Sequence, residues 1–175
     1  VRSIAREVFR NAMQLEELMI PASVEDIGAR AFHSTPWLNQ ISRVTPMVII
    51  NHILVDAAAC QGEVRIAADI KQISGWAFAN CYGLTSVIYE SAQTKTGEYA
   101  FRNCFQLNKI TLADQSTYSA GHISDRDRQD PPLVRQIISD CFNCFKTDEN
   151  GVLIECTGNI SELRLVDGIT AIGDK

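Results

Sequence analysis

Apolar positions along this chain recur with a period of 23 residues. The positions of Ile4, Phe9 and Leu15 are repeated by Ile27, Phe32 and Leu38. The same pattern returns at Ile73, Phe78, Leu84 and Val87, and Phe101, Leu107 and Ile110 repeat the last three of these positions 23 residues later. A fixed period of this size is typical of stacked supersecondary units, none of which can bury its own apolar face alone. The pattern therefore predicts a repeat solenoid.

Short segments with alternating polarity predict one strand in each unit. They are Glu17–Ile20, Ser86–Tyr89 and Lys109–Leu112. Because successive coils stack in register, we expect these strands to lie parallel in one sheet. The Ala-Phe pairs fall in the reverse limb, where a single helical or 3₁₀ turn fits. The predicted fold is an α/β repeat solenoid, with Phe9, Phe32, Phe78 and Phe101 in one buried ladder.

A larger duplication with an offset of 99 residues overlies the short repeat. Asn51–Asp56 matches Asn150–Glu155, and Ile70–Gly75 matches Ile169–Asp174. We interpret the chain as one domain of units interrupted by two inserts. The predicted repeats are about 1–23, 24–38, 70–92 and 93–114, and the inserts are about 39–69 and 140–168.

The least regular part of the chain is residues 113–132. It is polar, mixed in charge and closed by Pro131 and Pro132, which favours a solvated loop; a projecting binding loop is the alternative. Apolar residues then recur at helical spacing, namely Leu133, Val134, Ile137, Ile138, Cys141, Phe142 and Phe145. This spacing predicts a short amphipathic helix packed on the solenoid.

Composition and charge exclude several functional classes. The apolar fraction of 46% is that of a globular protein, and the net charge is −5 with a pI near 5.2. The chain has no Lys/Arg cluster of the kind that binds nucleic acid. It also has no run of about 18 apolar residues, which membrane insertion would require. No phosphate-binding loop or cofactor motif is present. The chain opens without a signal peptide and begins and ends within a repeat, so we interpret it as a fragment of a longer protein.

Two of the repeats carry a family likeness. The pattern Val24-x-x-Ile27-x-x-x-Ala31-Phe32, echoed from Ile73 to Cys81, resembles the BspA-like leucine-rich repeats. This resemblance implies a right-handed leucine-rich-repeat coil with a parallel sheet on one face and short helical turns on the other. It also implies a secreted or cell-surface bacterial protein that acts in adhesion or protein binding, without enzymatic activity.

Six cysteines are the main candidates for chemistry. Cys81 and Cys104 occupy the slot of Ala12 and Thr35 in earlier units, which indicates a small buried side chain. Cys141-x-x-Cys144 could form a redox dithiol or half of a zinc site. Zinc requires two further ligands, and a redox dithiol requires a strand–helix context that is absent here. Both cysteines fit the apolar stripe of the predicted helix, so we favour a structural role and predict no metal.

Alternation along the predicted strands defines a candidate binding surface. Half of each strand's side chains must point away from the coil. The outward set on these strands is Glu17, Met19, Ile88, Lys109 and Thr111. Arg65 and Arg164 join it from the two inserts, where Val64 and Ile66, and Leu163 and Leu165, point inward. Our interpretation is a non-catalytic scaffold that binds a protein or other macromolecule through this face. The alternatives are a structural spacer within a larger surface protein, whose strand face is only solvated, and a thiol redox or metal protein using Cys141 and Cys144.

Overall fold

The chain forms a β-solenoid of about five turns, as the 23-residue period predicts. A computed structural model describes residues 1–120, 130–142, 145–147, 152–156 and 171–172, and side chains are described for 1–120 and 130–141. We name the turns coil 1 (1–23), coil 2 (24–44), coil 3 (48–69), coil 4 (70–92) and coil 5 (93–112). Each coil is one winding of the chain, so adjacent coils pair through parallel strands.

Two parallel sheets run along the stack. The first contains β4 (Ile53–Asp56), β6 (Gln72–Ile73) and β8 (Lys95–Thr96), with β3 (Val48–Ile50) antiparallel at its edge. In coils 1 and 2, β1 (Ser3–Ile4) and β2 (Asp26–Ile27) pair in parallel in the same manner.

The second sheet confirms two of the three predicted strands. It contains β5 (Gln61–Ile66), β7 (Gly83–Tyr89) and β9 (Lys109–Thr111), all parallel. A fourth strand, β10 (Thr117–Ser119), pairs antiparallel with β9. Part of the predicted polar loop 113–132 is therefore a hairpin, and residues 121–129 of that loop lie outside the described part of the chain.

The third predicted strand, Glu17–Ile20, is wrong. This segment is irregular, because the strand that should pair with it in coil 2 is replaced by helix α1 (Pro36–Val44). Thr35 caps the helix by accepting the Leu38 amide at 3.2 Å, and Pro36 occupies the first turn. The Trp37 amide donates to the Leu15 carbonyl at 2.8 Å, so a helix terminus meets coil 1 where a strand was expected.

Tight turns follow the first strand of coils 1, 2, 4 and 5. The corresponding residues Glu7, Arg30, Trp76 and Tyr99 have φ values of 56°, 56°, 69° and 56°. A left-handed residue cannot continue a right-handed helix, so these segments remain turns. Their backbones pair between coils: the Phe9 amide donates to Ala31 at 2.9 Å and the Phe78 amide to Ala100 at 2.8 Å.

The phenylalanines form two stacked pairs rather than one ladder. Phe9 and Phe32 stack with ring centroids 5.7 Å apart, and Phe78 and Phe101 stack at 4.8 Å. Coil 3 separates the two pairs because Ala57 occupies its phenylalanine position. The Ala57 amide donates to Ala77 at 2.6 Å, in the same pattern by which Phe78 reaches the next coil. The apolar core is accordingly divided into two clusters.

Coil 3 has the shortest connection between its two strands. Residues 57–60 connect its two strands, whereas residues 74–82 do so in coil 4. Two hydrogen bonds pass from coil 4 directly to coil 2: Ser74 Oγ donates to the Ile27 carbonyl at 2.8 Å, and Gln72 Nε2 does so at 3.4 Å. Coils 2 and 4 therefore meet across the shortened connection.

The predicted helix is confirmed as α2 (Pro132–Phe142), and it covers the end of coil 5. Val134, Ile137 and Cys141 are fully buried in the main core. Gln136 Nε2 donates to the Gly97 carbonyl at 3.0 Å, and Asp140 Oδ2 accepts the Phe101 amide at 3.4 Å. These two side chains satisfy backbone groups that a sixth coil would otherwise pair with.

The 99-residue duplication is visible in strand pairing. In the first copy Ile53 pairs with Gln72 and Leu54 with Ile73. In the second copy β12 (Val152–Cys156) and β13 (Ala171–Ile172) pair in the same register, and β11 (Phe145–Thr147) pairs antiparallel with β12 as β3 does with β4. The insert is thus a structural unit that the chain uses twice.

Substitution of Phe78 tests the divided core. Phe78 is fully buried and stacked, so Phe78→Ala should lower the free energy of unfolding by roughly 3–5 kcal/mol. The matched change Phe9→Ala should cost less, because Phe9 is only partly buried at the end of the stack. Urea denaturation measures both. Equal losses at the two positions would contradict this difference in burial.

Asp140 should make the stability of the coil 5 end depend on pH. Burial raises the pKa of Asp140 to about 6, and hydrogen bonds from the Phe101, Tyr99 and Ala100 amides oppose this only in part. A raised carboxyl pKa contributes stability below about pH 4 that is lost as the pH rises through about 6. Asn cannot ionise and keeps an acceptor oxygen. We compare the free energy of unfolding of Asp140→Asn with that of the parent protein. The difference in favour of the variant should therefore grow by on the order of 1–2 kcal/mol between pH 4 and pH 7.

The control for this experiment is Asp114→Asn. The pKa of exposed Asp114 is lowered by its hydrogen bonds with Ser116. The free energy of unfolding of this variant should therefore not rise relative to that of the parent protein over the same pH interval. Urea denaturation at pH 4, 5, 6 and 7 measures each difference. A difference for Asp140→Asn that does not change with pH would refute the assignment.

Candidate interaction surface

The outer face of the second sheet carries two rows of side chains. The strand register places Arg65 beside Ile88, Ile88 beside Thr111 and Thr111 beside Thr117. The second row is Glu63, Ser86, Lys109 and Ser119. The intervening residues point into the core: Val64, Val87 and Ile110 are buried, as alternation predicts.

This outer face combines one apolar residue with charged neighbours. Ile88 is partly exposed, and Arg65 and Lys109 on the flanking strands are exposed. Arg65 donates to Glu63 at 3.1 Å, and both side chains are well exposed to water. Such an exposed pair contributes little to stability, so its groups are available to a partner at small cost. Lys109 makes no ion pair with any residue that the structure describes.

The predicted surface residues do not all lie together. Arg65, Ile88 and Lys109 share the outer face, whereas Glu17 and Met19 lie on the irregular segment of coil 1. Met19 is 95% exposed. Thr111 points outward but is only 7% exposed, contrary to the exposure expected for it, because β10 places Thr117 beside it and the two hydroxyl groups lie 3.3 Å apart. Arg164 lies outside the described residues.

A groove on the turns is a second candidate site, which the sequence pattern did not predict. The shortened connection of coil 3 leaves open space between the full turns of coils 2 and 4. One pocket of about 200 Å³ is lined by Arg30, Val55, Asp56 and Trp76, among others. A pocket of about 410 Å³ adjoins it and shares Asp56 and Ala58. The signal available in the sequence was the missing Ala-Phe pair in the insert.

An arginine and a tryptophan close one end of this groove. The Arg30 guanidinium lies 3.7 Å from the centre of the Trp76 ring, which is a close cation–π contact. Arg30 also lies 3.9 Å from Glu7. The pKa of Arg30 is lowered by burial and by Arg10, but an arginine remains charged at neutral pH. Trp76 is therefore packed beneath a cation, and Trp37 is buried against Phe32.

The cysteines pack as small buried residues. Cys81 Sγ donates to the Cys60 carbonyl at 3.0 Å, and Cys104 Sγ donates to the Phe78 carbonyl at 3.1 Å. Burial raises the pKa of Cys60 to about 11 and that of Cys81 to about 12. The pKa of Cys104 is well above its usual value through burial and contact with the Cys141 thiol. Reactive cysteines show the opposite shift. The side chains of Cys144 and Cys156 lie outside the described set.

Two further classes of site are not found in the described regions. Residues 1–120 and 130–141 contain no group of three or more His, Cys, Asp or Glu side chains that could hold a metal ion. No described helix has the length and apolar character needed to cross a membrane. His52 lies 3.0 Å from Asp69 at the surface, and His33 borders the groove.

Stacked parallel coils with a repeated Ile, Ala-Phe and Leu pattern define a leucine-rich-repeat type of solenoid. The model of the BspA-type leucine-rich repeat region matches residues 2–123 in six copies, and the chain belongs to this family. A comparison with curated proteins found no match, and a comparison with solved structures found none either. Leucine-rich repeats typically mediate protein interactions and are generally non-enzymatic, and BspA-type members are typically associated with surfaces.

The buried thiols should resist alkylation in the folded protein. Cys60, Cys81, Cys104 and Cys141 should remain unmodified by iodoacetamide at pH 8, because they are buried and the three with raised pKa values ionise poorly. All four should be modified after unfolding in urea. Peptide mass spectrometry reads each position separately. Rapid modification of Cys141 in the native state would restore thiol chemistry as a candidate function.

Proposed function

We propose that this solenoid is a non-catalytic adhesion scaffold at a bacterial cell surface, which binds a protein partner through the outer face of the second sheet. The observation that carries the proposal is the register of β5, β7 and β9. It places partly exposed Ile88 beside Arg65 and diagonal to Lys109, which is two residues from Thr111, the direct neighbour of Ile88 on β9. An apolar anchor within a polar rim is the usual composition of a protein interface.

Charge indicates the kind of partner that this face would accept. The chain is acidic overall, with a net charge of −5, yet two cations flank Ile88. Lys109 lacks an acidic partner among the described residues, and Arg65 shares only an exposed one. A partner that presents a carboxylate beside an apolar side chain would complement this arrangement. A stable complex needs about 800 Å² on each partner, so contacts beyond this sheet would contribute as well.

A triple variant tests the surface against a chemically matched control. Arg65→Ser, Ile88→Ser and Lys109→Ser together should leave the melting temperature within a few degrees of the parent, because exposed substitutions away from special features have small effects. The same variant should lose at least about tenfold in the affinity with which the parent captures protein from matrix or host-cell extracts. The control changes Arg43, Ile49 and Lys71, three exposed residues outside this face, to Ser.

The control variant should capture the same protein as the parent. Equal capture by the triple variant would refute binding through the second sheet and favour the hairpin and loop that follow β9. A parent protein that captures nothing above an unrelated protein of equal charge would favour the role of a structural spacer.

A further inference from the structure

The groove on the turns contains a carboxylate without a cationic partner. Asp56 lies at the end of β4, at the junction of the two adjoining pockets, and its side chain is partly buried. Its Oδ2 accepts from Ser42 Oγ at 3.2 Å, and the Ala58 amide is a second donor. Both donors are neutral. No basic side chain of the described chain lies within 4.0 Å of this carboxylate.

The two basic residues that line the groove, Arg30 and His33, form no ion pair with Asp56. The Arg30 guanidinium is stacked on Trp76 and lies 3.9 Å from Glu7. The pKa of His33 is lowered, first by burial and then by Arg30 and Arg10, so His33 is mainly neutral at pH 7. Asp56 therefore remains an uncompensated negative charge in a partly desolvated recess, and its own pKa is raised by burial.

The walls around Asp56 suit an alkyl chain. Leu38 is buried beneath the groove, Val55 is partly buried, and Ala58 is exposed at its mouth. Lysine and arginine side chains place an apolar stem against such surfaces and keep a charged end free to pair. A cation that approaches Asp56 would form a charge-assisted hydrogen bond in addition to the two neutral ones already present.

We propose that the groove between coils 2 and 4 receives a lysine or arginine side chain of a partner polypeptide, whose charged end pairs with Asp56. The shortened coil 3 creates the space, the alkyl stem lies along Leu38, Val55 and Ala58, and the ammonium or guanidinium group meets the carboxylate. This site is separate from the outer face of the second sheet and does not depend on the function proposed for that face.

Short peptides provide a direct test. The probe is an acetylated and amidated pentapeptide with a central lysine between alanines, compared with peptides that carry arginine, norleucine or glutamate in its place. Binding at pH 7 is followed by nuclear magnetic resonance, from the shifts of the Ala58 amide and the Trp76 indole. The lysine and arginine peptides should bind at least about tenfold more tightly than the norleucine peptide. The glutamate peptide should not bind.

Two variants and two controls assign the effect to Asp56. Asp56→Asn keeps an acceptor for Ser42 and the Ala58 amide, and should weaken binding of the lysine peptide at least about tenfold. Asp69→Asn changes an exposed acid of the same coil and should bind as the parent does. The triple variant of the second sheet should also bind normally, which separates this site from the proposed function.

A second variant keeps the test decisive if Asp56→Asn unfolds. Ala58 is exposed and lines both pockets, so Ala58→Lys should place the chain's own ammonium group beside Asp56 and block the peptide. Equal binding of the norleucine and lysine peptides would overturn the proposal. Retained binding in Asp56→Asn, or preferred binding of the glutamate peptide through Arg30 and His33, would overturn it as well.

Discussion

Backbone hydrogen bonding between neighbouring coils is the constraint on which this structure depends. A single coil has too few residues to enclose its own apolar side chains, and its amides and carbonyls point along the stack. The Phe9 amide reaches coil 2 and the Phe78 amide reaches coil 5, and in each case the phenylalanine ring then lies over an equivalent ring. Apolar burial and backbone pairing therefore require the same stacking.

The same constraint explains how the stack tolerates an unequal coil. Coil 3 keeps the pairing of Ala57 with Ala77 and of β4 and β5 with their neighbours, but it omits the Ala-Phe turn. Shortening the connection in this way keeps both sheets paired from coil 3 to coil 5 and removes residues only from the turns. The groove around Asp56 is the result, and the contact between Arg30 and Trp76 spans its outer end.

Open edges of a parallel stack would expose unpaired strands, and the chain covers several of them. Antiparallel β3 and β10 lie at one edge of the first and second sheets, while α2 covers the turns of coil 5 through Gln136 and Asp140. Covering coil 5 with α2 buries the carboxyl group of Asp140. Because burial raises the pKa of this group, the stability of the coil 5 end depends on pH. The two surfaces proposed for binding lie elsewhere, on the strand face and on the turns of the shortened coil.

Much of the architecture could be predicted from the amino-acid pattern, because the core positions of the repeat are apolar in most coils. Ile27, Phe32 and their equivalents predict the solenoid, and the alternation in Ser86–Tyr89 and Lys109–Leu112 predicts parallel strands that are present as β7 and β9. The 99-residue offset likewise predicts a register that β4 with β6 and β12 with β13 share. Local periodicity determines these features, because equivalent residues of successive coils have equivalent neighbours.

Only the tertiary structure decided which segments of adjacent coils lie next to one another. Glu17–Ile20 has the pattern of a strand, but α1 occupies the place of its partner; the Thr35-Pro36 cap was a signal for that helix. Thr111 belongs to an outward row, yet a hairpin across residues 112–116 buries it. The two phenylalanine pairs and the groove around Asp56 likewise depend on the short connection between the strands of coil 3. Periodicity describes the environment within a repeat, whereas insertions and edges change which segments are adjacent in space.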